Sequence, residues 1–328
     1  MSSNTKEIQR RIKSIRNTRK ITRAMEMVAV AKMKKEVERV FSIRPYAKSA
    51  WNVLINLSRA FEKYQHGLLN VRPVRRILII LVTSNRGLCG GFNAQVIKKT
   101  IGQVKKPDFL KINRVGSKTI SAEIEDDKLE FDFVAVGKKG FSYLNKRGYN
   151  VIAFFEDFNY LPGLESVGSL ARMAIDDYKK EKYDKVVVAY TDYKNAVVQV
   201  PKIRQILPIS KSDIEKQIAE IGEAGGLNIE KRKQYLDEDE KAIDYKIEPE
   251  PKEVLEHILP RLVEMQLYHA ILESNASKES ARMMAMKNAT EAATEMMENL
   301  QYSYNQLRQM NITQEIAEIT SGRVALED

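Results

Sequence analysis

The residues most suggestive of chemistry form a glycine-rich turn, Asn85–Asn93 (NRGLCGGFN), directly after the apolar run Arg76–Ser84. A buried strand, a glycine turn and a following helix are typical of phosphate-binding sites, because a helix N-terminus attracts anions. The glycines, Gly87, Gly90 and Gly91, do not fit G-x-G-x-x-G, and no Gly-Lys-Ser/Thr follows them. We therefore interpret the segment as a structural strand-to-helix turn.

Other catalytic residue types are sparse. Cys89 lies in the turn without a histidine nearby in sequence, which favours a packed thiol over a nucleophile. Ser166 lies in Gly-Leu-Glu-Ser-Val-Gly, whose first glycine is one residue too far for a nucleophile elbow. The histidines are too few for most metal sites; they are His66, His257 and His269. Carboxylates are abundant, but we expect them on charged helix faces. The sequence predicts no active site, metal or cofactor.

Composition sets broader limits. The 328 residues, 43% of them hydrophobic, allow one to three domains with a real core. The net charge of +10 favours an acidic partner, either nucleic acid, a membrane surface or an acidic protein. No apolar run approaches the ~20 residues of a membrane span, and no signal peptide is apparent. A single cysteine excludes an internal disulfide and fits a reducing compartment. A cytosolic protein is the default expectation.

The surrounding secondary-structure elements must position the turn. Their pattern predicts a central domain over residues 75–208. Apolar, β-branched runs alternate with helical stretches, a pattern that predicts an α/β sheet with mostly parallel strands. The predicted strands are Arg76–Ser84, Asp132–Val136, Val151–Phe155, Lys185–Tyr190 and Ala196–Ile203, and the predicted helices begin at Ala94 or lie near 141–147 and 167–180.

The central domain is followed by a long helical stretch. Arg261–Ser321 contains no glycine or proline, and at about 1.5 Å per residue it would extend roughly 90 Å. Its apolar residues step by three and four, which indicates a coiled-coil seam, although a helix within a larger bundle remains an alternative. The seam residues are Ala289, Ala293, Met296, Leu300, Tyr304 and Leu307, followed by Ile312, Ile316 and Ile319.

A second long helix opens the chain. Residues 1–44 lack glycine and proline, and after a kink at Pro45 the helical pattern continues to His66. Its seam is formed by Ile8, Ile12, Ile15, Thr22, Met25, Ala29, Met33, Val37 and Val40. Residues 1–44 carry thirteen Lys or Arg against four Glu, whereas residues 295–328 carry six acids against two Arg. The two helices therefore suggest each other as antiparallel partners. The basic helix could instead bind nucleic acid, but it has a single aromatic residue.

These features divide the chain into four parts. We expect an N-terminal coiled-coil helix over 1–66, the α/β domain over 75–208, a charged insert over 209–243, and a foot segment with the C-terminal helix over 244–328. The last helix is predicted to start at Lys252 and to end its regular pattern at Gly322.

Four long motifs carry a resemblance to a known family. They are KSIRNTRKITRAMEMVAVAKM (13–33), SNRGLCGGFN (84–93), SARMMAMKNAT (280–290) and ITQEIAEITSG (312–322). Together they resemble the gamma subunit of F-type, proton-translocating ATP synthases of the bacterial type. The motifs occur in the right order and span nearly the whole chain.

The resemblance implies a fold and a role. The terminal helices would form an antiparallel coiled-coil shaft inside a ring of alpha and beta subunits, with the Rossmann-like α/β domain, beside epsilon, on the membrane c ring. Proton flow would turn the c ring and shaft together, and ATP would be made on the beta subunits. The chain would then be non-catalytic, bind no nucleic acid, and lie peripherally at the cytoplasmic face of the bacterial inner membrane.

The resemblance also assigns contact residues. Those expected near the catalytic ring are Met25, Arg308, Gln309, Thr313, Glu315 and Glu318, and those expected at the foot, against the c ring and epsilon, are Tyr245 and Glu248. The stretch 210–242 is longer than a compact member needs, and it could be a surface appendage, an epsilon contact or a brake on hydrolysis. Two other functions stay open from the residues alone: a nucleotide-dependent enzyme built on the central domain, or a coiled-coil nucleic-acid binder.

Overall fold

A computed structural model describes residues 3–42, 66–115, 118–121, 128–156, 158, 162–209 and 250–327. The chain begins with helix α1 (Ser3–Ser42) and ends with helix α5 (Pro251–Glu327), and an α/β region lies between them in sequence. The predicted kink at Pro45, the charged insert, Tyr245 and Glu248 lie outside the described residues. Among the described helices, none is both long and apolar enough to span a membrane.

The chain divides into two compact units, and the first combines Met1–Val30 with Arg282–Asp328. Gln9 Nε2 donates to the Tyr304 hydroxyl at 2.8 Å, and Thr290 Oγ1 lies 2.8 Å from Thr22 Oγ1. Because residues early in α1 pair with residues late in α5, the helices are antiparallel. The predicted two-helix coiled coil is confirmed. All nine predicted seam residues of α1 are buried or half-buried.

The seam of α5 differs from the prediction at one step. Ala293 is buried, but Met296 is 53% exposed and its neighbour Met297 is half-buried instead. The seam includes Thr290, whose hydroxyl contacts Thr22. The two consecutive methionines satisfy the apolar pattern equally well, and the polar threonine gave no sign of facing the partner helix. At this one step the seam passes through Met297 instead of Met296, whereas the predicted Ala289, Leu300, Tyr304 and Leu307 are half-buried as expected.

The second unit, Ala31–Ala281, contains a five-stranded sheet in the order β5-β4-β1-β6-β7. Strand β1 pairs in parallel with β4 and β6, β4 pairs in parallel with β5, and β7 is antiparallel to β6. The mostly parallel sheet is thus confirmed. The bounds are β1 (Arg76–Val82), β4 (Glu130–Val136), β5 (Val151–Phe155), β6 (Lys185–Tyr193) and β7 (Gln199–Leu207).

Two cores cover the sheet. Ile77, Ile79 and Leu81 of β1 pack with α2 (Phe92–Lys105) and α3 (Lys138–Lys146), whereas the alternate residues of β1 pack with α4 (Leu164–Lys179) and the first part of α5. The alternation explains why β1 reads as a continuous apolar run, because both of its faces are buried.

Two features were not predicted. A two-stranded antiparallel hairpin, β2 (Ile112–Val115) and β3 (Lys118–Ser121), precedes β4. Helix α5 continues through Gly322 to Glu327, although we expected its regular pattern to end at that glycine. One glycine costs a helix only about 1 kcal/mol, and the residues after it are compatible with helix, so the helix persists.

Helix α5 also buries a polar run. Every residue from Glu273 to Ser280 is buried, although most are polar. Ser277 Oγ donates to Thr191 O at 3.1 Å, and Lys278 Nζ donates to Asn275 Oδ1 at 2.9 Å. Hydrogen bonds to backbone carbonyls and between side chains replace those to water, which makes this burial tolerable.

Candidate partner-binding surfaces

The glycine-rich turn is closed by its own hydrogen bonds. Asn93 Oδ1 accepts from the Ser84 backbone N–H at 2.9 Å, and Asn93 Nδ2 donates to Ser84 Oγ at 2.8 Å and to Cys89 Sγ at 3.2 Å. Gly90 has φ 53°, where glycine is favoured, whereas Leu88 adopts φ 63° without that freedom. The polar groups of Ser84 and Asn93 therefore hydrogen-bond to each other within the turn rather than to a ligand.

Cys89 is 2% exposed within this turn, and its thiol contacts Asn93 and Ser84. A buried thiol without a basic partner is poorly suited to nucleophilic chemistry. Gly87, Gly90 and Gly91 lie along the same turn, and Gly91 directly precedes α2. The geometry suits the strand-to-helix turn that we expected from the sequence.

The five predicted ring-contact residues of α5 are exposed: Arg308, Gln309, Thr313, Glu315 and Glu318. Their polar contacts are local ones along the helix, such as Thr313 Oγ1 to Gln309 O at 3.0 Å and Gln314 Nε2 to Glu318 Oε1 at 2.9 Å. Met25, the sixth predicted contact, is half-buried in the α1 seam. The five helix α5 side chains are thus accessible to a partner, and Met25 is partly so.

The end of α5 extends past the start of α1. Because Gln9 lies opposite Tyr304, the first described residue of α1, Ser3, reaches about six residues further along α5, near Met310. Beyond that level Ile312, Ile316 and Ile319 are 48%, 59% and 73% exposed. The prediction that they continue the intrachain seam is therefore wrong, since no described residue of α1 lies opposite them. They form an apolar stripe on a single helix.

Helix α1 also exposes apolar side chains. Ile21, Met27, Val28 and Val30 are each at least 40% exposed on a helix that is otherwise rich in Lys and Arg. Sequence reasoning missed this surface, which lies off the three-four seam. In the sequence, the signal that could have revealed it is the presence of apolar residues at positions of α1 outside the three-four seam. Exposed apolar residues in such a setting are typical of protein contacts.

No catalytic constellation emerges among the described residues. No group of three or more His, Cys, Asp and Glu side chains there could hold a metal ion. His66 Nδ1 accepts from the Leu68 backbone N–H at 3.1 Å, and His269 Nδ1 lies 3.6 Å from Glu273 Oε2. The described surfaces and fold define a class of protein in which the two helices of a coiled coil are separated in sequence by an α/β domain.

Comparisons with known proteins specify the family. A family model described as ATP synthase matches residues 4–326. The chain is 35% identical over 321 residues to the ATP synthase gamma chain of Legionella pneumophila, covering 98% of this chain and 99% of that one. It is 36% identical over 326 residues to the ATP synthase gamma chain of Acidithiobacillus ferrooxidans, covering 99% of this chain and 100% of that one.

A solved structure has the same fold. The chain is similar to a chain of the Euglena gracilis mitochondrial ATP synthase rotor, with a TM-score of 0.57 and 19% identity, covering 94% of this chain and 99% of that chain. The family assignment rests on the full-length sequence matches, whereas the structural match shows the fold. The chain belongs to the ATP synthase gamma-chain family, and it is a non-catalytic subunit.

Proposed function

We propose that this chain is the central rotor shaft of an F-type ATP synthase, coupling rotation of the membrane c ring to conformational change at the catalytic beta subunits. The observation that carries the proposal is the full-length match to gamma chains. It is supported by the apolar side chains that the coiled coil exposes on its surface. Its partners are the alpha and beta subunits, epsilon and the c ring. The same machine run in reverse would hydrolyse ATP.

The mechanism requires an asymmetric shaft. A partner that contacts every state of a catalytic site equally shifts none of them, so each orientation of the shaft must present a different surface. The coiled-coil unit meets this requirement, because among the described residues only those of α5 extend beyond the level of Ser3. The charge also differs around it, since α1 is strongly basic and the end of α5 is acidic.

We assign ring contacts to two kinds of surface on the coiled-coil unit. The apolar stripe Ile312, Ile316 and Ile319 would act as a bearing within the ring, and the exposed apolar residues of α1 would add to it. The charged and polar contacts would be Arg308, Gln309, Thr313, Glu315 and Glu318, with Met25 on α1. Tyr245 and Glu248 are assigned to the foot from the resemblance alone.

The location follows from the same proposal. As part of the ATP synthase the chain is peripheral to the membrane. The relatives cited are bacterial proteins, which supports placement at the cytoplasmic face of a bacterial inner membrane.

Rotation of the assembled complex tests the shaft role. The native chain should co-purify with nucleotide-binding subunits, and a bead on a cysteine introduced at exposed Lys106 should rotate when tethered complexes hydrolyse ATP. Cys89 is buried and should not compete for the label. A chain that purifies alone, or a bead that stays still while ATP is hydrolysed, would contradict the proposal.

Single charges on the shaft should have small effects. Glu315→Ala is expected to leave ATP-driven rotation within about fivefold of the wild-type rate, because an exposed charge contributes under about 1 kcal/mol. Glu291→Ala is the matched control, since Glu291 is also exposed and lies outside the predicted contacts. Loss of rotation in Glu315→Ala, with rotation preserved in Glu291→Ala, would show that one charge is decisive.

A further inference from the structure

Six polar side chains meet where α5 packs on the last two strands of the sheet. Helix α5 contributes Glu273 and His269, which are 9% and 3% exposed. Strand β6 contributes Tyr190 and Asp192, which are 0% and 4% exposed. Strand β7 contributes Lys202 and Arg204. We call these six residues the Glu273 cluster. Neither the predicted contacts nor the shaft role uses them.

Two lysines, Lys202 of the cluster and the nearby Lys194, form ion pairs with Asp192. Lys202 Nζ lies 2.7 Å from Asp192 Oδ2, and Lys194, in the loop after β6, lies 3.3 Å from the same atom. Burial alone would raise the pKa of Asp192, but the hydrogen bonds and charges of Lys202 and Lys194 outweigh it and hold that pKa below its usual value. Asp192 is therefore the ionised acid of the cluster.

Glu273 is poorly placed to carry a second negative charge. The His269 ring lies 3.6 Å from it, measured between Nδ1 and Oε2, which is beyond hydrogen-bonding distance. Within the described part of the chain, Glu273 Oε2 is buried and accepts no hydrogen bond. A buried carboxylate needs good hydrogen bonds on both oxygens to offset its lost hydration, and a protonated carboxyl does not.

We propose that Glu273 is a proton-binding site, and that its bound proton is required for α5 to pack stably against β6 and β7. The site holds a neutral carboxyl beside the charged Asp192–Lys202 pair. Loss of the proton places a second negative charge beside that of Asp192 in the same buried volume. The repulsion loosens the contact between the helix and the hairpin of β6 and β7.

The electrostatics agree with this assignment. Burial, aided by the negative charge of Asp192, raises the pKa of Glu273 to about 8, although Arg204, the Tyr190 hydroxyl and Lys202 oppose the shift. The free amino acid side chain ionises near 4.5. Glu273 is therefore protonated in the folded chain across the neutral range, where a solvent-exposed glutamate is ionised.

The sign of the pH dependence follows from proton uptake. Between about pH 4.5 and pH 8 the packed state binds one proton more than an opened state, in which Glu273 meets water. Raising the pH therefore favours opening, by about tenfold in the opening equilibrium per pH unit. The dependence ends above about pH 8, where both states have lost the proton.

Hydrogen exchange on the full-length chain can detect this opening. We would follow peptides covering 186–205 and 265–281 from pH 7 to 9.5, correcting each rate for intrinsic exchange. In the wild type, the opening constant of both segments should rise about tenfold per pH unit and level off near pH 8.

Two variants separate proton binding from simple packing. Glu273→Gln keeps the shape but cannot ionise, so its opening constant should be independent of pH, whereas the exposed control Glu256→Gln should behave as wild type. Asp192→Asn removes the neighbouring negative charge and should move the levelling-off at least one pH unit lower, even if it also weakens the fold. A flat wild-type profile, a wild-type slope in Glu273→Gln, or an unmoved end point in Asp192→Asn would overturn the proposal.

Discussion

Replacing Gly137 by alanine is expected to destabilise the α/β unit by about 3 kcal/mol or more. Gly137 follows β4 with φ 90°, a conformation that side chains rarely adopt. A Cβ there would lie 2.4 Å from Thr83 O and 2.9 Å from Thr83 Oγ1. Backbone strain and overpacking each contribute about 1–3 kcal/mol, which is a large fraction of the ~5–15 kcal/mol that keeps a domain folded.

The neighbouring hydrogen bonds make the clash hard to relieve. The Thr83 backbone N–H and hydroxyl both donate to Val136 O at 2.8 Å, and Thr83 Oγ1 accepts from the Gly140 N–H at 2.9 Å. A shift of Thr83 away from a new methyl group would break the joint between the ends of β1 and β4. The loss should appear as a lower denaturant midpoint for the full-length chain.

Two other glycines serve as matched controls for this change. Gly148→Ala has a similar φ, 73°, but nothing lies within 4 Å of the new Cβ, so it should cost only about 1–2 kcal/mol of strain. Gly102→Ala, inside α2 and also without close neighbours, should stabilise by about 0.5–1 kcal/mol. If Gly137→Ala is no worse than Gly148→Ala, the contact with Thr83 is not limiting.

The elements that could be predicted from the sequence are those with a regular burial pattern along their length. Strand β1 is apolar at every position because both faces are covered, and the two terminal seams keep a three-four step. The hairpin of β2 and β3 escaped because its strands are four residues each and largely polar, with no period to detect. Strand β7 was placed three residues too early, since the apolar run Ala196–Val198 forms the exposed turn before it.

Sites that depend on what faces a residue were harder to predict. Glu273 looked like one of many carboxylates on a charged helix, and its burial against Asp192 follows only from the docking of α5 on the sheet. Ile316 fits an apolar seam, but the length of α1 decides that no described partner lies opposite it. In both cases the local sequence pattern was read correctly, but the residues that face the side chain are determined by the tertiary structure.

Lys185→Met should be the second strongly destabilising change, by about 3 kcal/mol. Lys185 is completely buried at the start of β6, and its Nζ donates to Ile112 O at 2.6 Å and to Phe109 O at 3.1 Å. The ammonium also lies 4.9 Å from the centre of the Phe109 ring. Methionine fills the same volume but donates nothing, so two buried carbonyls lose a charged donor at about 1–3 kcal/mol each.

The loss should be concentrated where those carbonyls lie. Hydrogen exchange should accelerate in 107–115 before it does in the five-stranded sheet, because Lys185 ties the start of β2 to β6. Lys182→Met is the matched control: Lys182 is half-exposed, and its surface pair with Asp177 at 3.2 Å is worth about 0–1 kcal/mol. Equal effects of the two substitutions would mean that the carbonyls find other donors, and that the buried ammonium is not what holds β2 in place.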